Sequence, residues 1–230
     1  MTVHSGRRPP GRRPDRPGPT ESPISQPAPT AGKRERIIEA AIKVFAERGF
    51  YHARVSEVAA EAGVAGGTIY NYFRNKDDLL ISLFEDRMEA ILADFRTELG
   101  VIESAAGRLR RFVELHLRMV AHNPPLAEVL TVELRQSSKF MREYKARQFG
   151  EYLALLETLI VEGIERGEFR QDVDPKILKR ALFGAIDEVS LFWVGHQRAG
   201  HPQPYALDKA AEEIWRLYAG GLMRPQESTP

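Results

Sequence analysis

Apolar residues recur at helical spacing from Lys33 almost to the C-terminus, with polar residues between them. In the first helical segment the spacing is i, i+3, i+4 and i+7, which is one face of a helix: Ile38, Ala41, Ile42 and Phe45. Gly49 follows as a typical helix stop. No stretch alternates between apolar and polar residues as a half-buried strand would. The pattern predicts an all-α protein.

Two short helices follow the first one. Apolar positions from Val55 to Ala62 predict a second helix, Gly63 interrupts it, and a third helix runs to about residue 72. Two short helices joined by a glycine turn have the dimensions of a helix-turn-helix. The sequence therefore predicts this motif, with its core at 56–75, inside an N-terminal three-helix domain.

A long helix follows the third one. Asn75 is its predicted N-cap, and Asp78 three residues later helps to satisfy the free backbone N–H groups. The apolar stripe of this helix consists of Leu79, Leu80, Leu83, Phe84, Met88, Ile91, Leu92 and Phe95.

The predicted helices lengthen in the second half of the chain. "NPP" at 123–125 ends one helix and opens the next, since proline suits a first turn and disrupts a helix interior. Another helix spans about 139–166, and Asp174-Pro175 opens the next as N-cap and first-turn residue. A last helix begins at about 206. These elements predict a second helical domain over 100–224.

Residues 1–31 form a separate segment rich in proline and arginine, without apolar periodicity. Such a composition buries too little apolar area to offset chain entropy, so we expect disorder. The segment contains five arginines and only two acidic residues, Asp15 and Glu21, so it carries a net positive charge. The segment is either a solvated tail or a basic arm that adds phosphate contacts.

Composition excludes several classes of function. The 230 residues carry a formal net charge of +1 and no cysteine, which excludes disulfides and thiolate metal sites. No apolar run approaches the roughly 20 residues of a membrane span, and no secretory signal is present. We expect a cytoplasmic protein without a membrane partner. No G-x-S-x-G, H-E-x-x-H or P-loop pattern occurs, so we predict no enzyme activity, no catalytic residue, no metal and no cofactor.

The stretch "GTIYNYFRNKDDL" concentrates aromatic and basic residues after the predicted turn. In a helix-turn-helix the second helix lies in the DNA major groove, so we expect Tyr70 and Tyr72 against sugar and phosphate. Lys76 adds a charge at a helix start, where backbone N–H groups favour an anion. The base edges are then left to Gly66, Gly67, Thr68 and Asn71.

The segment "RERIIEAAIKVFAERGFYHARVSEVAAEAGVAGGTIYNYFRNKDDLL" resembles the DNA-binding domain of the TetR family of transcriptional regulators over 33–93. The family pattern A-G-V-x-x-G-T-x-Y-x-Y-F-x-x-K-x-x-L is complete from Ala62 to Leu79. The resemblance implies binding to double-stranded operator DNA. Arg54 replaces the usual Thr or Ser and is expected to reach a phosphate by its charge. Ala65 lacks the usual hydroxyl, and Gly66 leaves little side chain for reading a base.

The second half is similar to a narrower group, the FadR-like repressors of fatty-acid degradation that respond to long-chain acyl-CoA. The resemblance rests on 133–136, Glu162-Gly163, Phe169-Arg170 and 184–188. It implies a small apolar effector, an acyl-CoA, that releases a repressor from its operator. The alternative is a TetR-type regulator of efflux or secondary metabolism that senses another apolar compound.

Four polar residues in the apolar stripes are candidates for the polar end of an effector pocket: His116, Glu133, Arg135 and Asp187. A buried charge is costly unless it is paired, so the alternative is an internal network of salt bridges. A lone histidine such as His116 is also typical of a core. The apolar stripes are core in the first place, and the candidate lining of an acyl tunnel is Phe112, Met119, Leu130, Phe140, Tyr152, Leu155 and Phe183.

The last two predicted helices carry more large apolar residues than one small domain needs to cover itself. Phe192 and Trp193 lie on one, and Ile214, Trp215 and Tyr218 on the other. Pairing with a second copy would give a four-helix interface, so we expect a homodimer.

Overall fold

The structure, a computed structural model, describes residues 32–136 and 147–223. The statements below concern these residues. The segment 1–31, predicted to be disordered, and the candidate tunnel residue Phe140 lie outside them.

Three helices form the N-terminal domain as predicted, with one difference in length. They are α1 (Lys33–Arg48), α2 (Val55–Glu61) and α3 (Gly66–Ile69). Gly63 has a φ of +64°, which supplies the left-handed turn between α2 and α3. The α3 helix is only four residues long and ends before the predicted limit of about residue 72. The chain continues to turn after α3, because Tyr72 N and Phe73 N both donate hydrogen bonds to Ile69 O.

The long helix α4 (Lys76–Gly100) begins as the sequence predicts. Asn75 Oδ1 accepts from Asp78 N at 2.9 Å, and Asp78 Oδ2 accepts from Arg74 N at 2.9 Å. The two side chains thus satisfy backbone donors on both sides of the helix start. The whole predicted apolar stripe of α4 is buried.

Helices also make up the second half of the molecule. They are α5 (Ala105–His122), α6 (Pro124–Glu128), a π-helix (Val129–Glu133), α7 (Leu134–Gln136), α8 (Arg147–Glu165), α9 (Pro175–Arg198) and α10 (Leu207–Leu222). The π-helix was not predicted, because its apolar spacing does not differ visibly from that of an α-helix. Asp174 caps α9 and Pro175 opens it, as predicted.

The prediction of an all-α fold is confirmed. Within the described residues, extended pairing is limited to an isolated bridge between Phe169 and Met223. None of the described helices is long and apolar enough to cross a membrane.

One continuous hydrophobic core joins the two halves. The α4 helix packs on α1 at its start and on α5 and α8 further along. The α1 helix also packs on α6 and on the π-helix. The second half therefore contacts the DNA-binding half through α4 and through the side of α1 that packs on α6 and the π-helix. A movement within the second half can act on the DNA-binding half at both places.

Gly163 on α8 has no room for a side chain, which gives a stability prediction. A Cβ there would lie 2.1 Å from two ring atoms of the buried Phe169. We expect Gly163→Ala to lower the free energy of unfolding by about 1–3 kcal/mol, since the ring must move in a packed core. Urea denaturation measures it.

Gly150→Ala is the matched control on the same helix. A Cβ at Gly150 meets nothing within 4 Å. We expect this substitution to raise stability by about 0.5–1 kcal/mol, as alanine does in a helix interior. Equal effects of the two substitutions would contradict the packing described for Gly163.

Candidate DNA-binding surface and effector domain

The segment after the Gly63 turn presents one buried and one exposed face. Ile69 and Phe73 are 1% and 2% exposed and anchor the segment in the core. Tyr70 and Tyr72 are 59% and 43% exposed, and Asn71 is exposed between them. The two tyrosines are therefore surface residues, so a contact outside the chain is open to them.

The start of α3 exposes its main chain, because its first two residues are glycines. Gly66 and Gly67 are exposed, and a Cβ on either would meet nothing within 4 Å. Thr68 beside them is half-buried. The space in front of these glycines allows a large ligand to approach the main chain closely.

At the start of α2, the Glu57 side chain caps the helix and the Arg54 side chain does not. The Arg54 side chain makes no capping hydrogen bond here, because a guanidinium carries only donors. Glu57 Oε2 instead accepts from Arg54 N at 2.7 Å. The helix start is capped from within, and the exposed guanidinium of Arg54 stays available to an external anion.

Lys76 binds to its own chain in this structure. Its ammonium donates to Phe50 O at 2.7 Å, Tyr51 O at 3.0 Å and Ala53 O at 3.1 Å. It also lies 4.7 Å from the centre of the Phe50 ring. A lysine has three donors, and all three are engaged. In this structure Lys76 thus fixes the loop between α1 and α2 against the start of α4, and its phosphate contact stays a prediction.

Tyr51, which the sequence analysis missed, is the most exposed tyrosine near α3. It is 75% exposed, and the ring of His52 contacts it at 5.6 Å. The loop that carries it is the one fixed by Lys76. An aromatic residue directly after the helix stop was the available signal.

A buried carboxylate connects this loop to the second half of the molecule. Glu133, at the end of the π-helix, is 0% exposed. Its Oε2 accepts from Phe50 N at 2.5 Å, and its Oε1 accepts from Arg198 Nη1 at 2.9 Å. Arg198 Nη1 also donates to Glu128 Oε1 at 2.5 Å. We call Phe50, Glu128, Glu133 and Arg198 the Glu133 junction.

The Glu133 junction replaces the predicted role of Glu133 in an effector pocket. Two nearly buried carboxylates share one guanidinium, and burial raises the pKa of Glu128 although Arg198 opposes the shift. A buried charge without such a partner costs several kcal/mol. Glu133 faces the DNA-binding loop, so the alternative of an internal salt-bridge network is the correct one for this residue.

Tyr152 lies at the centre of a group of rings. Its ring centre is 5.0 Å from that of Phe112, 5.9 Å from Phe95, 6.4 Å from Phe149 and 6.2 Å from Phe183. With His116 at 6.0 Å, these residues form what we call the aromatic cluster. Phe95 and Phe149 were not among the sequence candidates, since each fits an ordinary core stripe.

His116 and Tyr152 form a buried hydrogen bond, with 2.6 Å between His116 Nδ1 and the Tyr152 hydroxyl oxygen. Burial lowers the pKa of His116 to about 4 and raises that of Tyr152 well above its ordinary value. The imidazole is therefore neutral at pH 7.

Arg135 and Asp187 form an ion pair rather than a free cation and a free anion. Arg135 Nη2 donates to the two carboxylate oxygens of Asp187 at 2.9 and 2.7 Å, and Arg135 Nη1 donates to Thr131 O. The pair is partly exposed. Asp187 lies close enough to Tyr152 to contribute to its raised pKa.

The candidate tunnel residues lie in and beside the core. Phe112, Met119 and Tyr152 are buried, whereas Leu130, Leu155 and Phe183 are half-buried. A groove of about 770 Å³ lies between α5 and α10, lined largely by charged residues. This groove and three smaller cavities contain none of the tunnel candidates. In this conformation the aromatic cluster is packed.

The candidate dimer face is corrected in part. Trp193 and Ile214 are each 8% exposed, so their own chain already covers them. Of the other candidates, Phe192 is exposed as expected, and Trp215 and Tyr218 are half-buried. Ile177 and Leu217, which were not among the candidates, are exposed as well. Leu217 borders an apolar groove of about 240 Å³ with Val173, Leu178, Tyr218, Gly221 and Leu222.

Two helices around a glycine turn, with an exposed polar and aromatic face, define a helix-turn-helix DNA-binding protein. Residues 37–83 match the bacterial regulatory proteins of the tetR family, and residues 84–221 match the C-terminal region of YsiA-like protein. The chain belongs to the tetR family of bacterial regulatory proteins. The members of this family are transcriptional regulators and not enzymes.

Similar proteins point to one branch of this family. The chain is 34% identical over 190 residues to the fatty acid metabolism regulator protein of Bacillus subtilis (strain 168), covering 83% of this chain and 95% of the relative. A crystal structure of FadR from Bacillus subtilis with stearoyl-CoA has a TM-score of 0.75 at 34% identity, covering 81% and 98% of the two chains. FadR from Bacillus halodurans gives 0.76 at 36% identity, covering 86% and 98%.

The buried histidine gives a pH prediction. Unfolded His116 takes up a proton below its ordinary pKa of 6.5, whereas the folded protein keeps it neutral down to about 4. The unfolded state then binds more protons, so stability falls as the pH is lowered through this range. The loss from His116 alone should be about 2 kcal/mol between pH 7 and pH 5.

Urea denaturation of the wild type and of His116→Phe across this range measures the contribution. Other groups titrate in both proteins, so the difference between their slopes isolates His116. Parallel slopes would contradict the burial of a neutral imidazole.

Proposed function

We propose that the protein is a repressor of fatty-acid degradation genes that binds a palindromic operator as a homodimer and leaves it when a long-chain acyl-CoA binds. The observation that carries this proposal is the 34% identical FadR structure with stearoyl-CoA, which superimposes over 81% of the chain. Residues 33–93 are assigned to DNA binding and 100–224 to effector binding and dimerisation. A repressor of this kind works in the cytoplasm, beside the DNA.

Our proposal gives the exposed residues of α3 and its surroundings separate tasks on DNA. Gly66 and Gly67 let the backbone approach the major groove, and Thr68 and Asn71 reach base edges. The phosphate contacts come from four further residues, which the exposed face supports: Tyr51, Arg54, Tyr70 and Tyr72. Lys76 acts indirectly, by holding the Tyr51 loop.

The acyl chain would occupy the aromatic cluster and the apolar residues beside it. Phe183 and Phe149 are half-buried, so the cluster reaches toward the surface on that side. Entry of an alkyl chain would require the packed rings to separate. The free energy for this comes from burial of the chain, about 0.8 kcal/mol for each CH₂.

The signal would reach the DNA through α4 and the Glu133 junction. Ion pairs hold α4 at its middle and near its C-terminal end: Arg87 pairs with Glu39 of α1 at 2.7 Å, and Glu98 pairs with Arg111 of α5 at 2.7 Å. The Glu133 junction fixes the Phe50 loop to the π-helix and to α9. A shift of α4 or of the π-helix would therefore change the position of α3 in a dimer.

The dimer face in this proposal is formed by α9 and α10. Ile177 is 69% exposed, Leu217 75% and Phe192 49%, and Leu217 borders the apolar groove of about 240 Å³ on these helices. A second copy would cover them. The two α3 segments would then read half-sites about one helical turn, roughly 34–36 Å, or a multiple apart.

Substitutions on the exposed face should separate phosphate contacts from base reading. Tyr70→Phe should weaken binding to all sequences by about 2- to 12-fold, the value of one hydrogen bond of about 0.5–1.5 kcal/mol. Asn71→Ala should instead change the preference among bases. Gel-shift titration on the DNA upstream of the gene and on scrambled DNA measures both. A sequence-dependent effect of Tyr70→Phe would contradict its assignment to phosphate.

The acyl-CoA response has a direct test. Acyl-CoAs from C8 to C18 should bind with affinities that rise about fourfold for each CH₂ until the site is full. The longest should release operator DNA in a gel shift. Free CoA is the control and should do neither. Affinity independent of chain length would overturn the acyl-CoA proposal and leave a tetR-family regulator with another effector.

A further inference from the structure

The aromatic cluster contains a polar pair with one unused atom. His116 Nδ1 is bonded to the Tyr152 hydroxyl, but His116 Nε2 is buried and has no hydrogen-bond partner among the described residues. The rings of Phe95, Phe112, Phe149 and Phe183 pack around Tyr152. None of these rings offers a hydrogen-bond acceptor of ordinary strength.

The positions of the protons follow from counting donors. If Tyr152 O–H donates to His116 Nδ1, the proton of the neutral imidazole is on Nε2, and one N–H donor is left over. If Nδ1–H donates to the Tyr152 oxygen, both the Nε2 lone pair and the Tyr152 O–H proton lack partners. Since an unpaired buried polar group is costly, the first arrangement is favoured. His116 then holds a single buried N–H donor, on the side of the imidazole that faces away from the Tyr152 hydroxyl.

Such a buried donor without a partner disfavours folding, and an apolar side chain at this position would not carry that cost. The donor becomes favourable when a ligand brings an acceptor into the cluster. An alkyl chain has none. The thioester of an acyl-CoA has a carbonyl oxygen, at the junction between the apolar chain and the polar CoA.

The surroundings fit that junction. Phe149 and Phe183 are half-buried, so the cluster extends from the closed core toward the surface. The Arg135–Asp187 pair lies beside Phe183, since Asp187 follows Phe183 by four residues on α9 and so shares its helix face. The cluster thus passes from an apolar interior to a charged rim, as an acyl-CoA does from its chain to its nucleotide.

We propose that His116 Nε2–H donates a hydrogen bond to the thioester carbonyl oxygen of the effector, so that the protein selects thioesters and not only long alkyl chains. This inference rests on the proposed function. His116 is a specificity-determining residue in this proposal, and Tyr152 is the positioning residue that fixes its proton on Nε2.

The test compares two ligands that differ only at the carbonyl. Stearoyl-CoA carries the thioester, and S-octadecyl-CoA has a CH₂ in place of the C=O. Calorimetry on the full-length wild type should give about 5- to 100-fold tighter binding of stearoyl-CoA than of S-octadecyl-CoA. The thioester carbonyl pairs the buried donor, whereas the CH₂ leaves it without a partner. In His116→Phe the two affinities should become equal. His116→Gln, which keeps an N–H donor, should restore part of the preference.

The outcomes separate this inference from the proposed function. Wild-type protein that binds both ligands equally would overturn the role of His116 and leave the acyl-CoA proposal intact. A preference that persists in a folded His116→Phe would mean that another group binds the carbonyl oxygen, and would also overturn it. Binding of neither ligand would overturn the proposed function itself. If His116→Phe does not fold, His116→Leu, which also lacks the N–H donor, takes its place.

Discussion

The buried carboxylate of Glu133 is the interaction on which the relation between the two halves depends. It accepts a backbone N–H from the loop that precedes the helix-turn-helix and a guanidinium N–H from the end of α9. No part of this carboxylate is exposed to water, so its charge is tolerable only while both donors are in place. Removal of one partner of a buried pair typically costs about 3–5 kcal/mol. The loop, the π-helix and α9 are therefore fixed to one another.

Lys76 extends this constraint to α4. It holds three carbonyls of the loop whose N–H group Glu133 accepts. The loop is thus bound by a cation from one side and an anion from the other. Helix α4 runs from this loop into the effector domain, where it packs on α5 and α8. A rearrangement of the aromatic cluster between these helices would displace α4, and α4 would transmit the displacement to the loop beside the DNA-binding surface.

Local signals in the sequence predicted most of the fold. Asn75 with Asp78, and Asp174 with Pro175, define helix starts through contacts within four residues, so they can be recognised without a structure. The exposure of Tyr70 and Tyr72 followed from the helix-turn-helix pattern. The partners of Glu133 and Lys76 could not be predicted, because Phe50 is 83 residues from Glu133 and 26 from Lys76. Apolar periodicity assigns a charged residue to a face but does not identify the charge that it meets there. For the same reason the sequence left open whether His116 belongs to the core or to an effector pocket, and its bond to Tyr152 was not foreseen.

The central claim is that the Glu133 junction transmits effector binding to the DNA surface, and its most direct test is the reciprocal coupling of the two ligands. Calorimetry should measure the affinity for stearoyl-CoA with and without operator, in the wild type, in Arg198→Met and in Arg216→Met, a control that breaks only exposed ion pairs on α10. Operator should weaken acyl-CoA binding in the wild type and in the control by about 5- to 150-fold, the usual range of allosteric coupling. In folded Arg198→Met the two ligands should still bind separately, but the coupling factor should fall below that of the wild type and of the control, since only the route through α4 remains. Undiminished coupling in Arg198→Met would contradict the account.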